Sequence, residues 1–430
     1  MQNWILTELD SGERIISERL EHVRSAAVGY WIGAGSRDED GGEAGVTHFI
    51  EHLLFKGTER HSALEIAEIF DGLGGELNAA TAREHTLVYA RIPDHHLETA
   101  VEVMSDMVFS PAFADLDAER EVVLEEIAMY EDAPQDLVHD LISEAVFGEH
   151  PLGRPVIGTA QVISSISQEA IASYHAAKYV PGNIVVSAAG NVDHDHLLEL
   201  LQRALVRREG GEDATGPTVR SPLVQAPAPR LRFQRKDTEQ YHVCLAAPGI
   251  SRSDRRRFAA SLLDAILGGS ASSRLFQEIR EKRGLAYAVY SFVSQYTDTG
   301  QVGVYVGTRE DNLAEALAIT AEQIADIASG NLPERELTRA KENLKGRILI
   351  SMESTSTRMN RLGKSLISDS ELLSLDRIVA EIDAVEAESV CALAATLLAP
   401  EKLSAACIGP NEDRLVAALE RIAPALARAA

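Results

Sequence analysis

The chain has 430 residues, 45% of them hydrophobic, and a mean hydropathy close to zero; it is too long for one ordinary core and predicts two or more globular domains. Its 41 Lys and Arg stand against 66 Asp and Glu, a formal net charge of −25, which argues against nucleic-acid binding, and no apolar run is long enough to argue for a membrane span. The three cysteines, Cys244, Cys391 and Cys407, are odd in number, far apart and without metal spacing, so the pattern argues against a disulfide framework and for a reducing compartment.

In chain order, Met1-Gln2-Asn3-Trp4-Ile5-Leu6 lacks a basic leader and enters a strand-like pattern at once, so no signal or transit peptide is expected and a bacterial-type cytoplasmic protein is the simplest reading. Ala26–Trp31 reads as a strand. A helix follows, carrying His48-Phe49-Ile50-Glu51-His52 with apolar flanks. Positions i and i+4 lie one turn apart on a helix, so His48 and His52 can both reach one metal ion. Glu51 projects beside them, placed to take a proton from a metal-bound water. The H-x-x-E-H order inverts the usual H-E-x-x-H helix of zinc peptidases. Without a third ligand the two histidines would pass as ordinary helix residues.

Gly74-Gly75 then turns into a short strand, Glu76-Leu77-Asn78-Ala79, and Thr86–Ala90 is a second strand. Asp117–Tyr130 reads as an acidic helix with Glu119 and Glu126 two turns apart on one face. Alone, that face would be a solvated acidic surface. Beside the histidines it supplies a carboxylate, and a His, His, Glu set leaves one tetrahedral position open, the catalytic rather than the structural arrangement. Among the remaining histidines, His95, His96, His194 and His196 read as surface residues, His139 and His150 as structural ones.

A Gly/Pro/Ala-rich stretch over 209–230 has the composition of an interdomain linker. Beyond it the order of elements repeats: a strand at Tyr241–Leu245, a helix at Phe258–Leu267, a strand at Gly300–Tyr305 and a long helix from Pro333 to Ile348. With Leu124 aligned on Leu344, Glu126 becomes Gly346, and Phe258–Leu267 lacks the histidine set. The second half thus reads as a repeat that kept the fold and lost the metal. Each half is expected to be α+β, with helices stacked on a mainly antiparallel sheet. The loop Gly268–Ser273 lacks the Lys-Ser/Thr ending of a nucleotide-binding loop. Residues 1–215 hold 14 Lys and Arg against 39 Asp and Glu, and the remainder holds 27 of each. The whole charge excess sits with the metal motif, where it either attracts basic peptides or simply keeps the chain dispersed.

The histidine motif, the Glu119–Glu126 helix and Gly74-Gly75-Glu76-Leu77-Asn78-Ala79 together resemble the pitrilysin/insulysin class of zinc peptidases, most of all its mitochondrial processing peptidase branch and the bacterial homologues of that branch. The resemblance spans nearly the whole chain. It implies two homologous halves facing each other as a clamshell, with residues 1–215 as the catalytic half, 216–230 as linker and 231–430 as the inactive half. It implies one Zn2+ per chain held by His48, His52 and Glu126, with Glu51 as general base and Glu119 as a supporting carboxylate. Both the family pattern and the two-turn spacing from Glu119 favour Glu126 over Glu125. The edge strand with Asn78 and Ala79 would hold an extended peptide, and Arg280 and Tyr287 would bind the substrate backbone and the oxyanion. Outside that resemblance, Arg280 reads as a surface charge and Tyr287 as a half-buried strand residue. The expected activity is a zinc metalloendopeptidase acting on unfolded or presequence-like peptides, as a homodimer or with a related subunit. The rival is a non-catalytic scaffold subunit of the same fold.

Overall fold

The structure is a computed structural model that describes residues 4–205, 218, 220, 222–223 and 227–427. About half of the stretch expected as a linker, 216–230, lies outside the described residues. Two compact units divide the chain: Met1–Ala128 with Arg154–Ser221 and Ile350–Ser374, and Met129–Gly153 with Pro222–Leu349 and Leu375–Ala430.

The first unit is built on a six-stranded sheet of β1 (Trp4–Glu8), β2 (Arg14–Arg19), β3 (Ser25–Ile32), β4 (Glu76–Thr81), β5 (Thr86–Pro93) and β6 (Ile184–Gly190), in the order β1-β2-β6-β3-β5-β4. Only the β2–β6 pair is parallel. The second unit has five strands, β7 (Leu231–Arg235), β8 (Tyr241–Gly249), β9 (Ala286–Gln295), β10 (Gly300–Thr308) and β11 (Ser404–Gly409), in the order β7-β11-β8-β10-β9. Its one parallel pair is β7–β11. Apart from β1, the two sheets have the same strand order and the same single parallel pair, so the repeat read from the sequence is a repeat of topology. Each unit is α+β with a mainly antiparallel sheet, as expected.

The central strands β3 and β6 are buried along nearly their whole length, which requires cover on both faces. One face of the first sheet carries the main core, in which Phe49, Ile50 and Leu53 of the helix Val46–Leu53 pack with Val101 and Met104 of the helix Leu97–Phe109. The other face is closed by the helix Thr355–Ile367, whose Met359 and Leu362 pack on Trp31, Ile16 and Val185. In the second unit the helix Pro134–Phe147 plays the same part, with Val138 and Ile142 against Cys244, Ala246 and Ile408. Each sheet is therefore backed by a helix from the opposite half of the sequence. The units differ in this from the contiguous division at 215 and 231: an amphipathic helix buries its apolar face wherever a matching sheet face is open. His139 belongs to this backing, stacked against Tyr290 and Tyr305. All three cysteines are free and buried.

His194 departs from the surface reading. It opens the helix His194–Leu205, is 7% exposed, and its two ring nitrogens meet Thr7 Oγ1 at 2.9 Å and Ser17 Oγ at 2.8 Å. The hydroxyls of the first two strands satisfy it, so its burial carries no unpaired polar atom. Among the described residues no helix is long and apolar enough to cross a membrane.

The close fit of the Thr355–Ile367 helix depends on Gly363. A Cβ there would lie 1.9 Å from Trp31 Nε1, and the indole is pinned by its 2.9 Å bond to Ser187 Oγ. Gly363→Ala should therefore lower the thermal midpoint and cost about 1–3 kcal/mol or more, as overpacking does. Gly346, on the helix Glu334–Ser351, has nothing beyond its neighbouring helix backbone within 4 Å of its ideal Cβ. Gly346→Ala should stabilise by about 0.5–1 kcal/mol through helix propensity. Equal effects of the two substitutions in thermal denaturation would contradict this packing.

Candidate metal centre

The helix Val46–Leu53 begins after Gly45, which has a φ of 98°. Its Val46, Phe49, Ile50 and Leu53 are fully buried, so the 3.6-residue period sends His48, Glu51 and His52 to the opposite face. Glu39 caps the helix: its carboxylate accepts from the Gly45 N–H at 2.8 Å and the Thr47 N–H at 2.9 Å. These are backbone donors that a helix start leaves without partners. Burial pushes the Glu39 pKa up to about 7, against the pull of those N–H groups and Arg154.

The second element is the helix Leu116–Glu131. Arg120 ties it down: its guanidinium lies 5.6 Å from the centre of the Phe49 ring, and Nη2 donates to Ile166 O at 2.9 Å. Glu119 is 4% exposed, while the Glu126 side chain is 46% exposed. Between the helices, His48 Nε2 stands 3.7 Å and His52 Nε2 3.3 Å from Glu126 Oε2. The two imidazoles meet edge to face at 4.7 Å. Glu119 Oε1 lies 2.8 Å from His52 Nδ1.

One ligand atom from each of His48, His52 and Glu126 can be chosen so that all three lie within 4.8 Å of one another. Ligands bonded tetrahedrally at about 2.0–2.1 Å stand about 3.3–3.4 Å apart, close to the separations seen. The donor chemistry, two imidazole nitrogens and a carboxylate, suits zinc and its neighbours. Burial, with His52 alongside, depresses the His48 pKa to about 4, so the ring is a neutral donor at neutral pH. These residues fit a metal ion. Among the described residues this is the one such group of three or more, and the second unit contributes none.

Glu51 takes no part in the ligand cluster. Its Oε2 accepts from the hydroxyl of Thr81, the last residue of β4, and burial raises its pKa. Among the described residues β4 is an edge strand, paired only with β5. Asn78 is exposed on it, with Oδ1 accepting the Ala79 N–H at 2.8 Å. Ala79 is turned into the core, so it offers a partner backbone only, and its N–H is held by Asn78. Beside β4 opens a pocket of about 670 Å3 lined by Phe55, Ile66, Phe70, Leu77, Asn78 and Tyr89.

Arg280 and Tyr287 belong to the second unit and are brought together there. Arg280 lies in a π-helical turn, Phe276–Glu281. Its guanidinium stands 4.7 Å from the Phe276 ring centre and 4.4 Å from that of Tyr287, and Nη1 donates to Tyr287 O at 3.2 Å. Tyr287 is 77% exposed, more than the half-buried reading allowed, because β9 is an edge strand.

Glu39, Thr81, Lys56, the anchoring contacts of Arg120 and the pocket beside β4 were not read from the sequence. Lys56 alone had a signal, four residues beyond His52.

Residues 14–160 match the family model described as insulinase (peptidase family M16), and residues 165–344 match the model described as the peptidase M16 inactive domain. An uncharacterized zinc protease of Mycobacterium leprae is 42% identical over 95% of this chain and 92% of its own length. One from Bacillus subtilis is 40% identical, over 93% of this chain and 97% of its own length. Among solved structures, a peptidase M16 inactive domain from Pseudomonas fluorescens superposes with a TM-score of 0.87 at 23% identity, covering 95% of this chain and 98% of that one. A protease from Helicobacter pylori gives 0.86 at 22%, covering 95% and 99%. With family models along both halves and whole-length relatives above 40% identity, the chain belongs to the pitrilysin-type peptidases of family M16.

Proposed function

We propose that the chain is a zinc-dependent endopeptidase that cuts extended peptides, with His48, His52 and Glu126 as the metal ligands and Glu51 as the general base. The observation that carries this reading is the place of Glu51. A metal store needs ligands only, yet here a carboxylate outside the ligand cluster is bonded to the end of an exposed edge strand.

Zinc bound at the three ligands supplies Lewis acidity toward a water and a carbonyl oxygen. Glu51 accepts the proton of the attacking water and returns it to the leaving amine. The free edge of β4 offers backbone groups on which a peptide can add itself as a further strand. Asn78 lies on that strand and is assigned to hold the peptide. The aromatic pocket beside β4 would take a bulky apolar side chain. Arg280 and Tyr287 keep the substrate-binding role, as guanidinium and phenol donors that the cation–π contact holds together. The charge excess of residues 1–215 favours basic peptides.

Hydrolysis of a quenched fluorescent basic peptide of about 10–20 residues, with and without chelator, tests the reading. Internal cleavage abolished by chelator and restored by zinc is the expected result. A chain carrying one zinc and cutting no peptide would favour the non-catalytic subunit, the reading to which the inactive-domain match over 165–344 lends weight.

A further inference from the structure

Beyond the ligands lies a chain of contacts that the proposed chemistry does not use. Glu119 is 4% exposed and divides its two oxygens: Oε1 faces His52 Nδ1 at 2.8 Å, and Oε2 faces Lys56 Nζ at 2.5 Å. Lys56 sits in the turn after the histidine helix, its N–H bonded to Leu53 O at 3.1 Å, with its side chain one-third exposed.

We infer that Lys56 is a positioning residue for the metal site: it anchors Glu119 so that Glu119 holds the His52 ring with Nε2 turned toward Glu126. This rests on the metal reading above.

A carboxylate removed from water is costly unless it is paired and hydrogen-bonded. A neutral imidazole N–H offers Glu119 one hydrogen bond but no opposite charge. Lys56 supplies the charge and occupies the second oxygen, so the first is kept for the ring. The network then assigns the His52 proton to Nδ1, which leaves the Nε2 lone pair free on the Glu126 side. Outer partners that fix a ligand's tautomer and ring orientation are commonly worth 10–100-fold in metal affinity. Lys56 stands one step further out and acts only through Glu119. The arrangement is asymmetric, because among the described residues His48 Nδ1 is buried with no hydrogen-bond partner. Orientation of the ligand pair therefore depends on the His52 side.

The experiment measures the zinc affinity of the full chain by chelator competition, alongside the visible spectrum of the cobalt-substituted protein. Lys56→Met should weaken zinc binding about 10–100-fold and shift the cobalt bands, while far-UV circular dichroism stays unchanged. Lys56→Arg, which keeps the charge, should recover most of the loss. In a Glu119→Gln background, Lys56→Met should have no further effect, since contacts in one network are not additive. If Lys56→Met does not fold, Lys56→Gln carries the same comparison. Tight zinc binding by the wild type that Lys56→Met leaves unchanged, or a loss equal in both backgrounds, overturns the inference alone. A wild-type chain that binds no zinc overturns the metal reading and this inference with it.

Discussion

Glu51→Gln should lower kcat by about 10^2–10^4-fold, the span of general acid–base catalysis, and leave one zinc bound per chain. The substitution is close to isosteric. The Gln carbonyl can still accept the Thr81 hydroxyl that Glu51 Oε2 accepts, so the helix face and the end of β4 keep their geometry. Glu51 is outside the group formed by His48, His52 and Glu126, which is why metal content should not follow activity down. What the amide loses is basicity. Thr81→Val should be milder than Glu51→Gln, because it removes the hydroxyl that positions the base and leaves the base in place. Zinc content by atomic absorption and peptide turnover on the same preparation decide the matter. Zinc lost together with activity would make Glu51 a ligand or a structural residue, and activity retained would place the base elsewhere.

The parts of this site that could be read from the sequence are those set by one helix at a time. His48 and His52 are four residues apart and Glu119 and Glu126 seven, so helical periodicity alone puts each pair on one face. That the two faces meet at one point is a tertiary fact, and only the family resemblance anticipated it. Glu39 shows the limit. It caps Gly45 and Thr47 from across a loop with no periodic relation to them. Thr81 is thirty residues from Glu51 and was hidden for the same reason. In the fold, β3, β5, β8 and β10 announce themselves by β-branched and aromatic residues. β6 and β11 (IVVSAAG and SAACIG) are rich in small residues with weak strand preference, yet they lie near the centre of their sheets. That the helices Pro134–Phe147 and Thr355–Ile367 each back the sheet of the opposite half was not read from the sequence. An apolar stripe records that a helix face is covered, not which sheet covers it.

Glu126→Gln should cost more zinc affinity than any change at Glu119 or Lys56, upward of about 100-fold, whereas Glu125→Gln should cost almost nothing. The two residues are adjacent in sequence, but successive positions on a helix are turned by about 100°. Glu126 faces the histidines, with Oε2 at 3.3 Å from His52 Nε2 and 3.7 Å from His48 Nε2, while Glu125 is exposed. A neutral amide oxygen at 126 is a poorer donor and removes the one negative charge of the ligand set. Because a ligand that binds only the folded chain stabilises it by RT ln(1 + [L]/Kd), zinc at about 1,000 times Kd contributes about 4.1 kcal/mol. Adding zinc to the stripped protein should therefore raise the thermal midpoint of the wild type and of Glu125→Gln, and barely move that of Glu126→Gln. If the zinc-dependent rise disappears in Glu125→Gln instead, the helix is turned by one position and Glu125 faces the histidines. If it survives in both variants, the metal is held by the histidines without either glutamate. Either result would also change the part given to Glu119, because its bond to His52 can orient a ligand ring only if that ring faces the metal.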